Sequence, residues 1–294
     1  MQALSTSLPS LTHLELLGPF LVRTDAWISF FSSHPHLHTF RITQSPRFDL
    51  SCMCALIDNC AKSLEALRLR EIGKLDDGYL EQIQLLKGLK ELDIAEPAAS
   101  CSEEAMIDLI SNIGASLTKL DLSKHDLLTD EFLTSGLKRY TSVLHSLTLS
   151  YLPELSDKGV ADFFRTWKND PLTHLDMARN HELGTEALKA VMAHSGPKLE
   201  VLVINGWKEV GEQALCMVGR HGSELRRVDV GWCREMDDFV VKNWIGMNEE
   251  QKATGCRKLE ELKVWGCNRI TARCPRKVRL SDLGMCAGLI HEIV

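Results

Sequence analysis

Residues 172–177 consist of Leu172-Thr173-His174-Leu175-Asp176-Met177, and this short stretch decides the fold. Apolar Leu175 and Met177 alternate with polar neighbours, which predicts a strand buried on one face. A loop follows, and residues 185–192 then place apolar side chains at 187, 188, 191 and 192, the spacing of a helix with one buried face. The stretch therefore predicts a unit of strand, loop and helix.

The same pattern, Leu-x-x-Leu-x-Leu with other apolar residues allowed at its later positions, occurs ten times along the 294 residues. It starts near residues 11, 37, 64, 89, 117, 144, 172, 199, 225 and 259. Successive starts lie 25 to 28 residues apart except for the last two, which lie 34 apart, and a period of about 20–29 residues is typical of leucine-rich repeats. We therefore predict one α/β domain over residues 1–294, a right-handed βα horseshoe like that of ribonuclease inhibitor, with strands on the concave wall. The long last interval predicts an inserted loop at residues 248–255.

Two helix starts are predicted from their capping residues. Thr185 is a candidate N-cap, whose hydroxyl would accept a hydrogen bond from the first turn of the helix. Ser100 and Glu103 have the spacing of a capping box.

Composition excludes several classes of protein. A net charge of −6 and a pI near 6.0 argue against a general nucleic-acid binder, which usually has a basic domain. Ten cysteines are scattered over a long chain, which favours reduced thiols in an intracellular protein over a disulfide scaffold. The first twenty residues lack the features of a signal peptide, and no apolar run reaches the ~18 residues needed to span a bilayer.

One loop position carries a family signature. Three residues after the last apolar strand position stand Asn180, Cys233 and Cys267, small polar side chains that can turn inward and bond loop backbone groups. These residues resemble the cysteine-containing subclass of leucine-rich repeats found in F-box adaptor proteins. The same position departs from the subclass at Ile72, Pro97, His125, Leu152 and Trp207.

The C-terminal segment gives a narrower resemblance. Residues 262–271, Leu-Lys-Val-Trp-Gly-Cys-Asn-Arg-Ile-Thr, and then Cys274-Pro275-Arg276-Lys277 resemble the end of the fungal radiation-sensitivity leucine-rich repeat family of global-genome nucleotide excision repair. The resemblance implies a nuclear factor that works in lesion recognition. It also implies two partners, an ATPase of SWI/SNF type and a ubiquitin ligase containing a cullin and elongin C.

Two sets of strand-associated residues are candidate partner contacts. The middle strand residue, which should face the concave side, is Asp121, Asp176, Asp229 and Lys263 in four repeats. Carboxylates there would repel phosphates, so DNA is not expected along the middle of this wall; alternatively these residues are only solvated. Three tryptophans follow their strands by three, two and one residues, and could form an exposed aromatic ridge or pack into the loop layer instead: Trp207, Trp232 and Trp265.

Residues 269–279 form a basic segment within a predicted C-terminal cap, residues 265–294. It contains five basic and no acidic residues: Arg269, Arg273, Arg276, Lys277 and Arg279. The segment could make a weak contact to damaged DNA or to an acidic partner, or it could be a solvated cap.

Catalytic, cofactor and metal sites are not predicted. No nucleophile elbow, phosphate-binding loop or zinc-protease motif occurs, and His194-Ser195 has no evident acid partner. Alternating His34, His36 and His38 could bind a metal, but no cysteine pair with zinc spacing stands nearby.

We therefore predict a non-enzymatic scaffold for protein interactions, nuclear or alternatively cytosolic, that acts in DNA-damage recognition linked to a cullin-type ligase. The alternative is the substrate receptor of an F-box ligase whose F-box is absent from this chain. A regulator of the ribonuclease-inhibitor kind fits the shape but matches the cysteine positions less well.

Overall fold

Each repeat contributes one strand, which contains the second apolar residue of the pattern. The computed structural model describes residues 6–97, 101–245 and 255–271. Within these residues the strands are β1 (His13–Leu17), β2 (Thr39–Thr43), β3 (Ala66–Arg70), β4 (Glu91–Asp93), β5 (Lys119–Asp121), β6 (Ser146–Thr148), β7 (His174–Asp176), β8 (Val201–Val203), β9 (Arg227–Asp229) and β10 (Glu261–Lys263). The predicted leucine-rich repeat fold is confirmed.

The chain divides into two compact units, Met1–Leu144 and His145–Val294. In the first unit β1 to β5 pair in chain order and all run parallel. In the second unit β6 to β10 do the same. Within each unit equivalent residues of neighbouring repeats therefore stand side by side, and a single domain over the whole chain stays a prediction.

Helices connect successive strands within each unit. The first unit contains α1 (Thr24–Ser33), α2 (Leu50–Cys60), α3 (Asp77–Ile83), α4 (Glu103–Ile113) and a π-helix (Phe132–Leu137) that continues into α5 (Lys138–Tyr140). The second contains α6 (Asp157–Thr166), α7 (Thr185–His194), α8 (Glu212–His221) and α9 (Asp238–Trp244). Among the described residues, none of the helices has the length and apolarity needed to cross a membrane.

The pattern leucines form the core. The first leucine is at most 1% exposed in the eight inner repeats, whereas Leu11 and Leu259 in the two end repeats are half-buried. Neighbouring repeats cover one another in such a stack, which accounts for the full burial of the inner leucines. Each fully buried leucine contributes about 1.5–3 kcal/mol relative to its exposed state.

The start of a helix is capped by the preceding repeat. Asp157, the first residue of α6, accepts hydrogen bonds from the backbone amides of Gly184 (2.8 Å), Ala187 (2.9 Å) and Glu186 (3.2 Å) at the start of α7. The predicted N-cap role of Thr185 is wrong, because its hydroxyl accepts from the Gly211 amide of the following repeat at 2.8 Å.

Glu103 behaves in the same way. Its carboxylate accepts from the backbone amides of Thr129 (2.6 Å) and Phe132 (3.2 Å) in the next repeat, while Ser102 caps α4 by accepting from Ala105. The predicted capping box between Ser100 and Glu103 is therefore wrong. Ser100 itself and most of the predicted loop at 248–255 lie outside the described residues.

Candidate partner-binding surface

A left-handed residue ends the turn after every strand. It lies two residues past the last apolar strand position, and its φ is positive in all ten repeats: Gly18, Gln44, Glu71, Glu96, Lys124, Tyr151, Arg179, Gly206, Trp232 and Gly266. Residues other than glycine rarely adopt a positive φ. We call this row of residues the turn row.

Aspartates in the middle of the strand stabilise four of these turns. Asp121, Asp176 and Asp229 each accept from the backbone amide two residues ahead, at 3.0 Å, and Asp93 does so at 3.4 Å. Each bond closes an Asx turn immediately before the residue of the turn row. The aspartates predicted as partner contacts therefore have a local structural role, and their binding role stays a prediction.

Charge on the strand face of the first unit is internally paired. Arg70 donates to Asp93 (2.7 Å) and also pairs with Asp121, while Arg68 contacts Asp93 (2.9 Å) and Glu15 (3.1 Å). Arg41 completes the network by pairing with Glu15 and with Glu91. Burial raises the pKa of Asp121, and the neighbouring charge of Asp93 raises it further. These carboxylates are engaged with arginines.

The inward loop position, three residues past the last apolar strand position, has the same function in five repeats. In these repeats its side chain donates to the carbonyl of the last apolar strand residue in the preceding repeat. The bonds are Cys267 to Val230 (3.3 Å), Cys233 to Ile204 (3.7 Å), Trp207 to Met177 (2.8 Å), Asn180 to Leu149 (2.8 Å) and His125 to Ile94 (2.8 Å). The donors thus satisfy carbonyls at the end of the strand ladder, where an unpaired buried carbonyl would be costly.

The predicted ridge of three exposed tryptophans is wrong for Trp207. This side chain is fully buried because it occupies the inward loop position. Trp232 and Trp265 are 62% and 40% exposed. The Trp232 ring packs against Gly266, where a Cβ would lie 2.5 Å from its Cδ2 atom, so one ring face is fixed in place.

Beside these two tryptophans the strand face of the second unit has an apolar floor. Val201 and Val203 of β8 are both half-buried and line a shallow depression with Arg227, Asp229 and Lys263. Val203 is the middle strand residue of its repeat, but the sequence analysis did not single it out. The available signal was that β8 has aliphatic residues at both strand-face positions.

The predicted basic segment is described only at Arg269. This residue pairs with Glu235 and lies 3.7 Å from Asp237. Arg273, Arg276, Lys277 and Arg279 lie outside the described residues, so the basic patch stays a prediction.

Buried thiols and histidines do not form a reactive centre in the described part of the chain. Burial raises the pKa of Cys60 to about 11 and of Cys52 to about 12, which keeps both thiols protonated and unreactive. His34 is buried, and its two ring nitrogens lie 2.9 and 3.1 Å from the carbonyls of Phe30 and Leu8. No group of three or more possible metal ligands occurs among the described residues.

Fold and turn chemistry define a leucine-rich repeat protein, and a family model described as leucine rich repeat matches residues 168–192. The chain is homologous to two fungal DNA repair proteins. It is 33% identical to DNA repair protein rhp7 of Schizosaccharomyces pombe over 90% of this chain, and 27% identical to DNA repair protein RAD7 of Saccharomyces cerevisiae over 96%. The predicted family resemblance is confirmed. The chain spans about half the length of these curated relatives, 46% and 49%.

Two solved structures match the fold. A crystal structure of yeast Rad7 in complex with Elc1 aligns with 94% of this chain and 68% of that chain, at 25% identity and a TM-score of 0.81. The leucine-rich repeat-containing protein LegL7 from Legionella pneumophila aligns with 98% of this chain and 93% of that chain, at 13% identity and a TM-score of 0.51, which shows the fold alone. These similarities do not favour the F-box alternative.

Proposed function

We propose that this chain is the leucine-rich repeat part of a non-enzymatic, nuclear DNA-damage-recognition factor of nucleotide excision repair. One observation carries the proposal: homology to two DNA repair proteins extends over at least 90% of the chain. Repeats of this kind present an extended surface, which suits the assembly of partners.

The partner that the comparisons support is a ubiquitin-ligase subunit of elongin-C type, since Rad7 was solved with Elc1. Such a subunit would connect the chain to a cullin-type ligase. A repair ATPase of SWI/SNF type is the second proposed partner, and the surface around Trp232 and Trp265 is the proposed contact region. Exposed aromatic side chains of this kind dominate interface energetics.

A chimera in budding yeast tests the proposal. The segment of RAD7 that aligns with this chain would be replaced by the chain in a strain lacking RAD7, and survival after ultraviolet irradiation would be measured. We expect survival to be restored. The matched control carries Leu175→Asp, which should unfold the repeats and abolish rescue. A chimera that accumulates normally, yet neither rescues survival nor co-purifies with Elc1, would contradict the proposal.

A further inference from the structure

We propose that the strand face of β8 to β10 binds an extended peptide segment in which an aliphatic side chain is followed within three residues by an acidic one. The inference rests on the proposed scaffold function and names the ligand class of its contact region. It depends on three features of the second unit: an apolar floor, an arginine that makes no ion pair among the described residues, and two exposed tryptophans.

The floor lies in β8. Val201 and Val203 are the aliphatic pair on the strand face, whereas the equivalent positions are Ser146 and Thr148 in β6 and His174 and Asp176 in β7. Solvated strand positions are usually polar, so two half-exposed valines on one strand distinguish β8 from its neighbours. The depression above them measures about 140 Å³. This volume is well below the ~300–1,000 Å³ of small-molecule sites, so it suits one side chain of a larger ligand.

The charged side chains next to the apolar floor favour a ligand that has an acidic residue close to its aliphatic one. Arg227 is exposed and stands beside Val201 in the strand register, and it makes no ion pair within the part of the chain that the structure describes. Lys263 pairs only with Glu261 of its own strand among described residues, at 3.1 Å. The nearby carboxylate of Asp229 is already engaged, with the Gly231 amide at 3.0 Å and Asn205 at 3.1 Å. Glu261 also lines the depression and stands beside Arg227 in the strand register, but its carboxylate is paired with Lys263. Arg227 is thus the charged group left to meet an acidic ligand.

Strand spacing sets the separation of the two ligand side chains. Val203 is paired with Asp229, and Asp229 with Lys263, so Val203 and Lys263 are two strands apart. Two strand spacings amount to ~10 Å, and an extended peptide crossing them advances ~3.3 Å per residue. An acidic side chain one to three residues after the aliphatic one therefore reaches Arg227 or Lys263.

Two exposed tryptophans follow β9 and β10 in the chain and provide a reporter for this surface. Trp232 and Trp265 are the exposed tryptophans, while Trp27, Trp167, Trp207 and Trp244 are at most 4% exposed. A peptide on the strand face should therefore change the emission of these two indoles and leave the other four unaffected.

Selection from a random peptide library displayed on phage, with the whole chain as bait, tests the inference. We expect enriched peptides to carry an aliphatic residue followed within three positions by Asp or Glu. A fluorescein-labelled enriched peptide should bind with at least about tenfold lower affinity to Val203→Lys and to Arg227→Glu, equivalent to ~1.4 kcal/mol. The matched control Thr148→Lys, at the same strand position two repeats earlier, should bind normally.

Two further measurements make the test decisive. Circular dichroism establishes that each variant is folded, and the shift in tryptophan emission on peptide binding should disappear in Trp232→Phe/Trp265→Phe. Enrichment without the aliphatic–acidic pattern, affinity unchanged by Val203→Lys, or a site that binds labelled oligothymidine in place of peptide would overturn the inference. If it is overturned while the yeast chimera still rescues survival, the proposed function stands and only the ligand class is wrong.

Discussion

The carboxylate of Asp157 offers a direct test of capping between repeats. Asp157→Ala would remove the acceptor for three backbone amides at the start of α7, those of Gly184, Glu186 and Ala187. These amides have no partner within their own helix. Loss of an N-cap costs about 0.5–2 kcal/mol, and the negative charge at the start of the helix contributes a further ~0.3–1 kcal/mol. We expect a total loss of about 1–3 kcal/mol in the free energy of unfolding.

Urea denaturation of the whole chain measures this loss, and hydrogen exchange locates it. Glu154→Ala is the matched control, because Glu154 is exposed in the loop before α6 and should change stability by less than about 0.5 kcal/mol. Exchange should accelerate at the amides of Glu186 and Ala187, which lie one repeat beyond the mutated residue. If Asp157→Ala matches the control in stability and leaves exchange in α7 unchanged, the capping bonds are not stabilising and the argument fails.

Three other perturbations have defined outcomes. Trp207→Phe keeps an aromatic ring but leaves the buried Met177 carbonyl without its donor, and should cost at least ~1–3 kcal/mol in urea denaturation. Burial lowers the pKa of His125 below its usual 6.5, so the unfolded chain binds this proton more readily than the folded chain. The free energy of unfolding is therefore highest above pH 6.5 with respect to this group. It decreases as the pH drops below 6.5, by at most ~1.4 kcal/mol per pH unit. His125→Asn should flatten that part of a stability-versus-pH curve, and a curve identical to the unmodified chain would refute the assignment. Leu175→Asp buries an unpaired carboxylate and should unfold the neighbouring repeats, as seen by circular dichroism, so a normal melting curve would contradict its inward orientation.

The strands were predictable because alternation identifies which side chains enter the core. Leu175 and Met177 are both fully buried, as the quoted stretch requires. Helix starts were less predictable, since the usual capping rules assume a partner within the same helix. Asp157 and Glu103 bond the next repeat, roughly one period ahead in sequence. Local spacing contains no signal for such a partner.

The tryptophans show that the candidate site could be predicted only in part from the sequence. The distance from the end of the strand decides orientation: three residues gives the buried inward position of Trp207, and two gives the exposed turn-row position of Trp232. That rule was present in the sequence through Cys233 and Asn180, but it was not applied to the tryptophans, for which an exposed ridge and packing into the loop layer both stayed open. The floor formed by Val201 and Val203 was missed because only the middle residue of each strand was compared, so Val201 was not considered together with Val203.

Bonds between adjacent repeats give the stack a direction. On the helix side a repeat depends on the carboxylate before it, as α7 depends on Asp157, whereas on the loop side it depends on the donor after it, as Met177 depends on Trp207. Excising one internal repeat would therefore leave two separate defects, an uncapped helix downstream and an orphaned carbonyl upstream. Shortened or spliced versions should tolerate loss only where the new neighbours restore both bonds, which makes the repeats poor candidates for free exchange.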